Sequence, residues 1–153
     1  NRMDSIDKKI LFIMQRNSEL PLSEISRRVG LSSTPCWNRI RKLQEDGVII
    51  EKTVILDKYK LNLPITVFLM ITVRNHNEVW TKNFKDILKK YNNILEAHRI
   101  TGSQADYIIK IVAESIEEYD KFQQILIKNI EFNSMSSGVS LQELKMTTRM
   151  PIR

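Results

Sequence analysis

The sequence predicts an α+β fold in two parts, an N-terminal winged helix-turn-helix and a C-terminal ferredoxin-like βαββαβ unit. Three observations carry this. Residues 22–47, LSEISRRVGLSSTPCWNRIRKLQEDG, read as two short helices joined by a tight turn. The stretch after them, residues 48–56, is apolar and rich in β-branched residues, which suits a hairpin wing. From residue 65 onward, apolar alternation and helical periodicity succeed one another in the order βαββαβ.

The first helix follows Asp4 and Ser5, which can cap it, and carries Ile6, Ile10, Ile13 and Met14 along one side. In the second, Leu22, Ile25 and Val29 fall at i, i+3 and i+7. Gly30 suits a left-handed helix terminus, and Leu31 is an apolar plug. Ser32 can cap the third helix, whose first turn tolerates Pro35. Cys36, Ile40 and Leu43 form its apolar stripe, and Gly47 ends it. Two helices in this arrangement place the second in a DNA major groove.

Charge supports that reading. Arg27 to Lys42 holds five basic residues (Arg27, Arg28, Arg39, Arg41, Lys42) and no acid. The chain has net charge +6, of which residues 1–63 hold +4 and residues 64–153 hold +2, so the surplus follows the helix-turn-helix. With the stripe turned inward, the candidate DNA-contacting residues are Ser33, Thr34, Trp37, Asn38, Arg39, Arg41 and Lys42, which can hydrogen-bond phosphates and base edges.

The remaining elements follow in order. Residues 57–64, DKYKLNLP, lack a period and end in proline, which marks a linker between domains 1–56 and 65–153. Residues 65–74 read as a strand and 77–91 as a helix with Trp80, Phe84, Ile87, Leu88 and Tyr91 on one side. Residues 94–101 and 106–113 read as strands around a turn. Residues 115–130 read as a helix with Ile116, Tyr119, Phe122, Leu126 and Ile130 on its buried side, and residues 139–146 as the last strand. Residues 135–138, MSSG, read as a loop. Two helices cover one sheet face. The first strand is nevertheless apolar on both, with Val67, Leu69, Ile71 and Val73 on one side and Phe68 and Met70 on the other, which implies a homo-oligomer.

Other chemistry is poorly supported. Cys36 is the lone cysteine, so no intrachain disulfide forms, in keeping with a cytoplasmic protein. On the apolar stripe it reads as a buried, inert thiol. His76 and His98 lie 22 residues apart with no cysteine near either and read as ordinary polar residues, so no metal or cofactor is expected. The apolar run at 65–73 is too short to span a bilayer, and the N-terminal residues do not resemble a signal peptide. No nucleophile motif or Gly-rich phosphate loop indicates an enzyme.

The arrangement resembles the leucine-responsive regulatory protein/asparagine regulator (Lrp/AsnC) family. Asp4-Ser-Ile-Asp-Lys-Lys-Ile-Leu11 resembles the opening helix of that family. Arg28-Val-Gly-Leu-Ser32 and Thr34-Pro-Cys-Trp-Asn-Arg-Ile-Arg-Lys-Leu43 resemble its helix-turn-helix, and Gly47-Val-Ile49 resembles the start of its wing. Thr101-Gly102 with Asp106-Tyr107 resembles its effector loop, and Leu141-Gln-Glu-Leu-Lys145 with Pro151 its closing strand and tail. Two places depart from the pattern. Three residues rather than two separate Gly102 from Asp106, and Glu19 stands where an arginine is common.

The resemblance implies a DNA-binding transcriptional regulator that forms dimers and often octamers. Its second domain would bind an amino acid or related metabolite, usually at contacts between dimers. Thr101, Gly102, Ser103 and Asp106 are then the effector-binding candidates, with Asp106 facing the ammonium; a turn residue satisfying backbone N–H groups is the alternative for Asp106. For Trp37 the alternatives are sugar-phosphate contact and packing on the first helix or wing. An architectural DNA-packaging protein without an effector is a second reading of the whole chain, and a metabolic enzyme or an amino-acid-sensing subunit of one a third.

Overall fold

The computed structural model describes residues 2–102 and 104–153. The chain divides into two compact units: Asn1–Ile55 with Lys145–Arg153, and Leu56–Leu144.

The first unit holds α1 (Ser5–Arg16), α2 (Leu22–Val29) and α3 (Ser33–Glu45). Asp4 caps α1 in a reciprocal box with Asp7. Gly30, at φ +75°, closes α2 in the left-handed region that a side chain would resist. Ser32 occupies the N-cap position of α3 in extended backbone, without a side-chain cap bond. Ile10, Met14, Ile25, Val29, Cys36, Ile40 and Leu43 make one core, the inward stripes of the three helices. The tail returns to this unit: the Gln15 amide donates to the Met150 carbonyl and accepts from the Met150 N–H, both at 2.8 Å.

Residues 48–56 do not form the expected hairpin. They form no ladder, and Ile50, Val54, Ile55 and Leu56 are exposed. Val48 and Ile49 instead donate their N–H groups to the Leu43 carbonyl at 2.9 and 3.1 Å and so finish α3. The following Glu-Lys-Thr supplies no tight-turn pair of the kind a hairpin needs.

The second unit is a four-stranded antiparallel sheet in the order β2-β3-β1-β4, the ferredoxin-like arrangement. Its strands are β1 (Ile65–Thr72), β2 (Ile94–Arg99), β3 (Tyr107–Ala113) and β4 (Ser134–Val139), with α4 (Glu78–Lys90) after β1 and α5 (Ile116–Asn129) after β3. The core joins Val67, Leu69, Ile71, Tyr107, Ile109 and Ile111 of the sheet to Trp80, Phe84, Ile87, Tyr119, Phe122 and Leu126 of the helices. Ile116, expected on the buried side of α5, is exposed; it is the helix's first residue and lies before the stripe begins.

The last strand lies earlier than its apolar residues suggested. β4 pairs Ser134 with Thr72 through to Val139 with Val67, so the Ser-Ser-Gly stretch is strand rather than loop. Leu141 and Leu144, which gave residues 139–146 their strand-like pattern, are almost fully exposed. Residues 57–64 are folded rather than loose. Asp57 Oδ1 accepts from the Tyr59 N–H at 2.9 Å, and Lys58 Nζ donates to Thr66 at 3.1 Å and meets Glu143 at 3.0 Å.

Opposite the core, Phe68 and Met70 of β1 remain 38% and 36% exposed. Register places them beside Ile108 and Lys110 of β3 and Ser136 and Gly138 of β4. Among the described residues, Phe68 and Met70 stay partly open, while Thr66 at the start of the same face is buried, with Lys58 Nζ at 3.1 Å from its hydroxyl.

Candidate nucleic-acid interface and effector loop

The apolar stripe of α3 turns Cys36, Ile40 and Leu43 inward, so the remaining faces meet solvent. Ser33, Thr34, Trp37, Asn38, Arg41 and Lys42 are all exposed. Trp37, at 48% exposure, does not pack away into the core, and the Arg41 guanidinium lies 5.3 Å from its ring centroid. Arg41 Nε also donates to Glu45 Oε1 at 2.8 Å, one turn further along. Trp37, Arg41 and Glu45 thus form a ladder at i, i+4 and i+8 on the open face.

Arg39 behaves differently from its neighbours. Its Nη1 donates to Asp4 Oδ2 at 2.6 Å and to Asp7 Oδ1 at 3.1 Å. The structure therefore commits Arg39, expected among the DNA-contacting residues, to α1. At about 100° per residue Arg39 falls on the edge of the buried stripe, about 40° from Leu43, whereas Arg41 falls on the far side.

The charge presented is smaller than the charge counted. Arg27 and Arg28 both pair with Glu24, at 2.6 and 2.8 Å, and these bonds, Arg27 foremost, hold the Glu24 carboxyl at about 2. Asp4 is lowered first by the Asp7 N–H and then by Arg39. Among the described residues, Lys42 is the one cation of the Arg27–Lys42 run that makes no ion pair. The pairs Glu24–Arg28 and Arg41–Glu45 stand at i, i+4 and were open to sequence reading. Asp4 and Asp7, 35 and 32 residues from Arg39, were not. Cys36 is fully buried, and burial pushes its thiol up.

In the second unit, residues 100–106 join β2 to β3. The Ile100 N–H donates to the Asp106 carbonyl at 2.9 Å and closes the loop's base. Thr101 and Gly102 are exposed, and Gly102 sits at φ +141°, a conformation side chains rarely adopt. Ser103 lies outside the described residues. Asp106 is half-buried; its Oδ2 accepts from the Val73 N–H at 2.8 Å, and its own N–H donates to the Ile71 carbonyl at 2.9 Å. The turn-residue role is therefore filled by one of its oxygens.

Beside the loop, Tyr107 hydrogen-bonds His76 and packs with Trp80 and Phe84, and burial raises its phenol. A groove of about 1030 Å³ opens there between α4 and β2, lined by Lys85, Lys89, Ala97, Arg99 and Tyr107 among others; Thr101, Gly102 and Asp106 do not line it. On the open sheet face Glu96 meets His98 at 3.2 Å and Lys110 at 3.6 Å, with its carboxyl lowered chiefly by His98. Among the described residues, no group of three His, Cys, Asp or Glu could hold a metal ion, and no helix is long and apolar enough to cross a membrane.

Comparison with known proteins agrees with this architecture. Residues 3–50 match the family described as winged helix-turn-helix DNA-binding, and residues 66–150 match the Lrp/AsnC ligand binding domain. The glutamate uptake regulatory protein of Zymomonas mobilis is 36% identical over 99% of this chain and 92% of its own length. The crystal structure of an AsnC family transcriptional regulator from Agrobacterium tumefaciens superposes with a TM-score of 0.92 at 38% identity, covering 97% of each chain. A transcriptional regulator from Neisseria meningitidis, solved as an L-Met complex, gives a TM-score of 0.92 at 26% identity, over 98% of this chain and 97% of that one. The chain belongs to the Lrp/AsnC family: it is an effector-responsive, DNA-binding transcriptional regulator and not an enzyme.

Proposed function

We propose that the open face of α3 reads DNA and that residues 101–106 take an amino acid or a close relative, which then alters DNA affinity or assembly. The observation that carries the first half is the joint exposure of Ser33, Thr34, Trp37, Asn38, Arg41 and Lys42 on one helix whose other side is core. Lys42 and Arg41 serve as phosphate or base contacts, Asn38 and Thr34 as base-edge hydrogen-bonding groups, and Trp37 as a flat surface against sugar and phosphate. Action on DNA and an unpaired cysteine fit the cytoplasm.

The second half is supported by the backbone at Gly102, open to a ligand carboxylate, and by Asp106. A carboxylate has about four lone-pair sites. Val73 occupies one, and an ammonium can take another in a charge-assisted bond. The L-Met complex of the Neisseria regulator supports an amino-acid effector as the class. The exposure of Phe68 and Met70 on the sheet face away from the core supports a homodimer joined there, with larger assemblies built from it.

The test is a thermal-shift screen of free amino acids on the full chain, with and without duplex DNA, repeated with Asp106→Asn. An amino acid should raise the melting temperature and change DNA affinity in the parent protein, and both effects should shrink in the variant while DNA binding without effector survives. A screen in which no amino acid changes melting, size or affinity would favour the architectural reading.

A further inference from the structure

Each oxygen of Asp4 and Asp7 is assigned once. Asp4 Oδ1 accepts from the Asp7 N–H at 2.8 Å, and Asp7 Oδ2 from the Asp4 N–H at 3.3 Å, which makes the capping box of α1. The two remaining oxygens, Asp4 Oδ2 and Asp7 Oδ1, both receive Arg39 Nη1. The box that starts α1 is also the acceptor for a cation from the middle of α3. The side chains of Arg39 and Asp7 are 32% and 18% exposed, so this junction is partly withdrawn from solvent.

The packing shows why such a junction matters. α3 meets the core along one stripe, Cys36, Ile40 and Leu43. A single apolar line resists separation better than it resists rolling about the helix axis. Arg39 stands about 60° round the helix from Cys36, off the stripe, at about 100° per residue. A tether there opposes rolling, and rolling is the motion that would carry Asn38, Arg41 and Lys42 out of register with a groove.

We propose that Arg39 is a positioning residue: gripped by the capping box of α1, it fixes the rotation of α3 and so the aim of the DNA-facing side chains, without touching DNA itself. This rests on the reading of the open α3 face given above. The two roles for Arg39 differ in what salt does. Losing a phosphate contact removes about 0.9 from the slope of log K against log salt. Losing the aim of base-edge groups such as Asn38 weakens binding, while the long, flexible Arg41 and Lys42 side chains still reach phosphate, so the count of released counterions stays as it was.

The experiment uses the full chain and a duplex enriched from a random pool by the parent protein, with affinity read by fluorescence anisotropy across a salt series. Arg39→Ala should weaken binding about fivefold or more, as when one base-edge pairing goes out of reach, with the salt slope unchanged. Asp4→Asn with Asp7→Asn keeps side chains suited to helix starts and should also weaken binding. Electrostatics alone predicts the reverse, since two negative charges are removed near the DNA-facing helix. If Arg39→Ala does not fold, the asparagine pair carries the test by that difference in sign.

Tighter binding by the asparagine pair, parental binding by Arg39→Ala, or a slope reduced by about 0.9 in Arg39→Ala would each overturn the proposal. Lys42→Ala and Arg41→Ala separate the two readings. If both bind like the parent, the α3 face is wrong and the proposal falls with it. If they bind weakly while the Arg39 and aspartate variants do not, only the positioning role fails.

Discussion

Glu45→Gln should tighten DNA binding, and the structure sets the size of the effect. Arg41 Nε is held by Glu45 Oε1 at 2.8 Å, with both side chains 59% exposed. A phosphate that takes Arg41 must first displace that carboxylate. An exposed i, i+4 pair is worth about 0.3–0.5 kcal/mol, which is the competition removed by the substitution. A carboxylate ~8 Å from a phosphate adds repulsion of about 0.5 kcal/mol in water before salt screens it. Together these give about 1 kcal/mol, or two- to fivefold in affinity at low salt, fading as salt rises. The assay is fluorescence anisotropy on a DNA duplex over a salt series, run as a double-mutant cycle with Arg41→Ala. Without Arg41 the gain should fall to the repulsive part alone, about twofold or less. Weaker binding by Glu45→Gln, or an equal gain in both backgrounds, would refute the reasoning.

Three further outcomes follow from burial and charge. Leu69, fully buried, and Phe68, on the open face, are adjacent in sequence but opposite in consequence. Leu69→Ala should cost about 2–5 kcal/mol in calorimetry, while Phe68→Asp should leave the second unit folded and shift sedimentation toward monomer; a Phe68→Asp chain that assembles like the parent would count against the sheet-face dimer. The Glu24 carboxyl, at about 2 when folded against an ordinary value of 4.5, is depressed, so its stabilisation is present above about 4.5 and is lost as pH falls through about 2. Circular dichroism melts across that acid range should show a shallower pH dependence for Glu24→Gln.

Local pattern explains which parts of the fold were legible. The helices of the first unit announced themselves because their apolar residues repeat with the helical period and end at Gly30 and Gly47. β1 and β3 were legible because their alternation is set by a buried face. β4 was not, because Ser134–Val139 is an edge strand defined by backbone bonds to β1, and its side chains carry no apolar signal. The hairpin at residues 48–56 was misread because the backbone N–H groups of Val48 and Ile49 serve to close α3.

At the candidate sites, Ser33, Thr34, Trp37, Asn38, Arg41 and Lys42 of α3 could be chosen by subtraction from the stripe. Arg39 could not be separated from Arg41 in that way. One helix position decides whether a guanidinium reaches solvent or α1, and the acids that hold Arg39 lie a full domain core away in sequence. The Val73 N–H on Asp106 was equally hidden, since it depends on how β1 meets the effector loop.

The return of residues 145–153 to the first unit has a consequence for how the chain is made. The Gln15–Met150 pair spans 135 residues, and everything from 56 to 144 is interposed. During synthesis the three helices emerge first but lack their last piece, while the second unit can complete itself before that piece exists. Closing so long a loop in an unfolded chain carries an entropic cost that grows with the logarithm of its length. A folded insert shortens the effective loop to the two covalent crossings at 55–56 and 144–145. Docking of the tail therefore costs least entropy once the interposed unit has folded. A bound small molecule that steadies that unit is thus connected to the DNA-reading helices through two peptide crossings, where a beads-on-a-string regulator would have one.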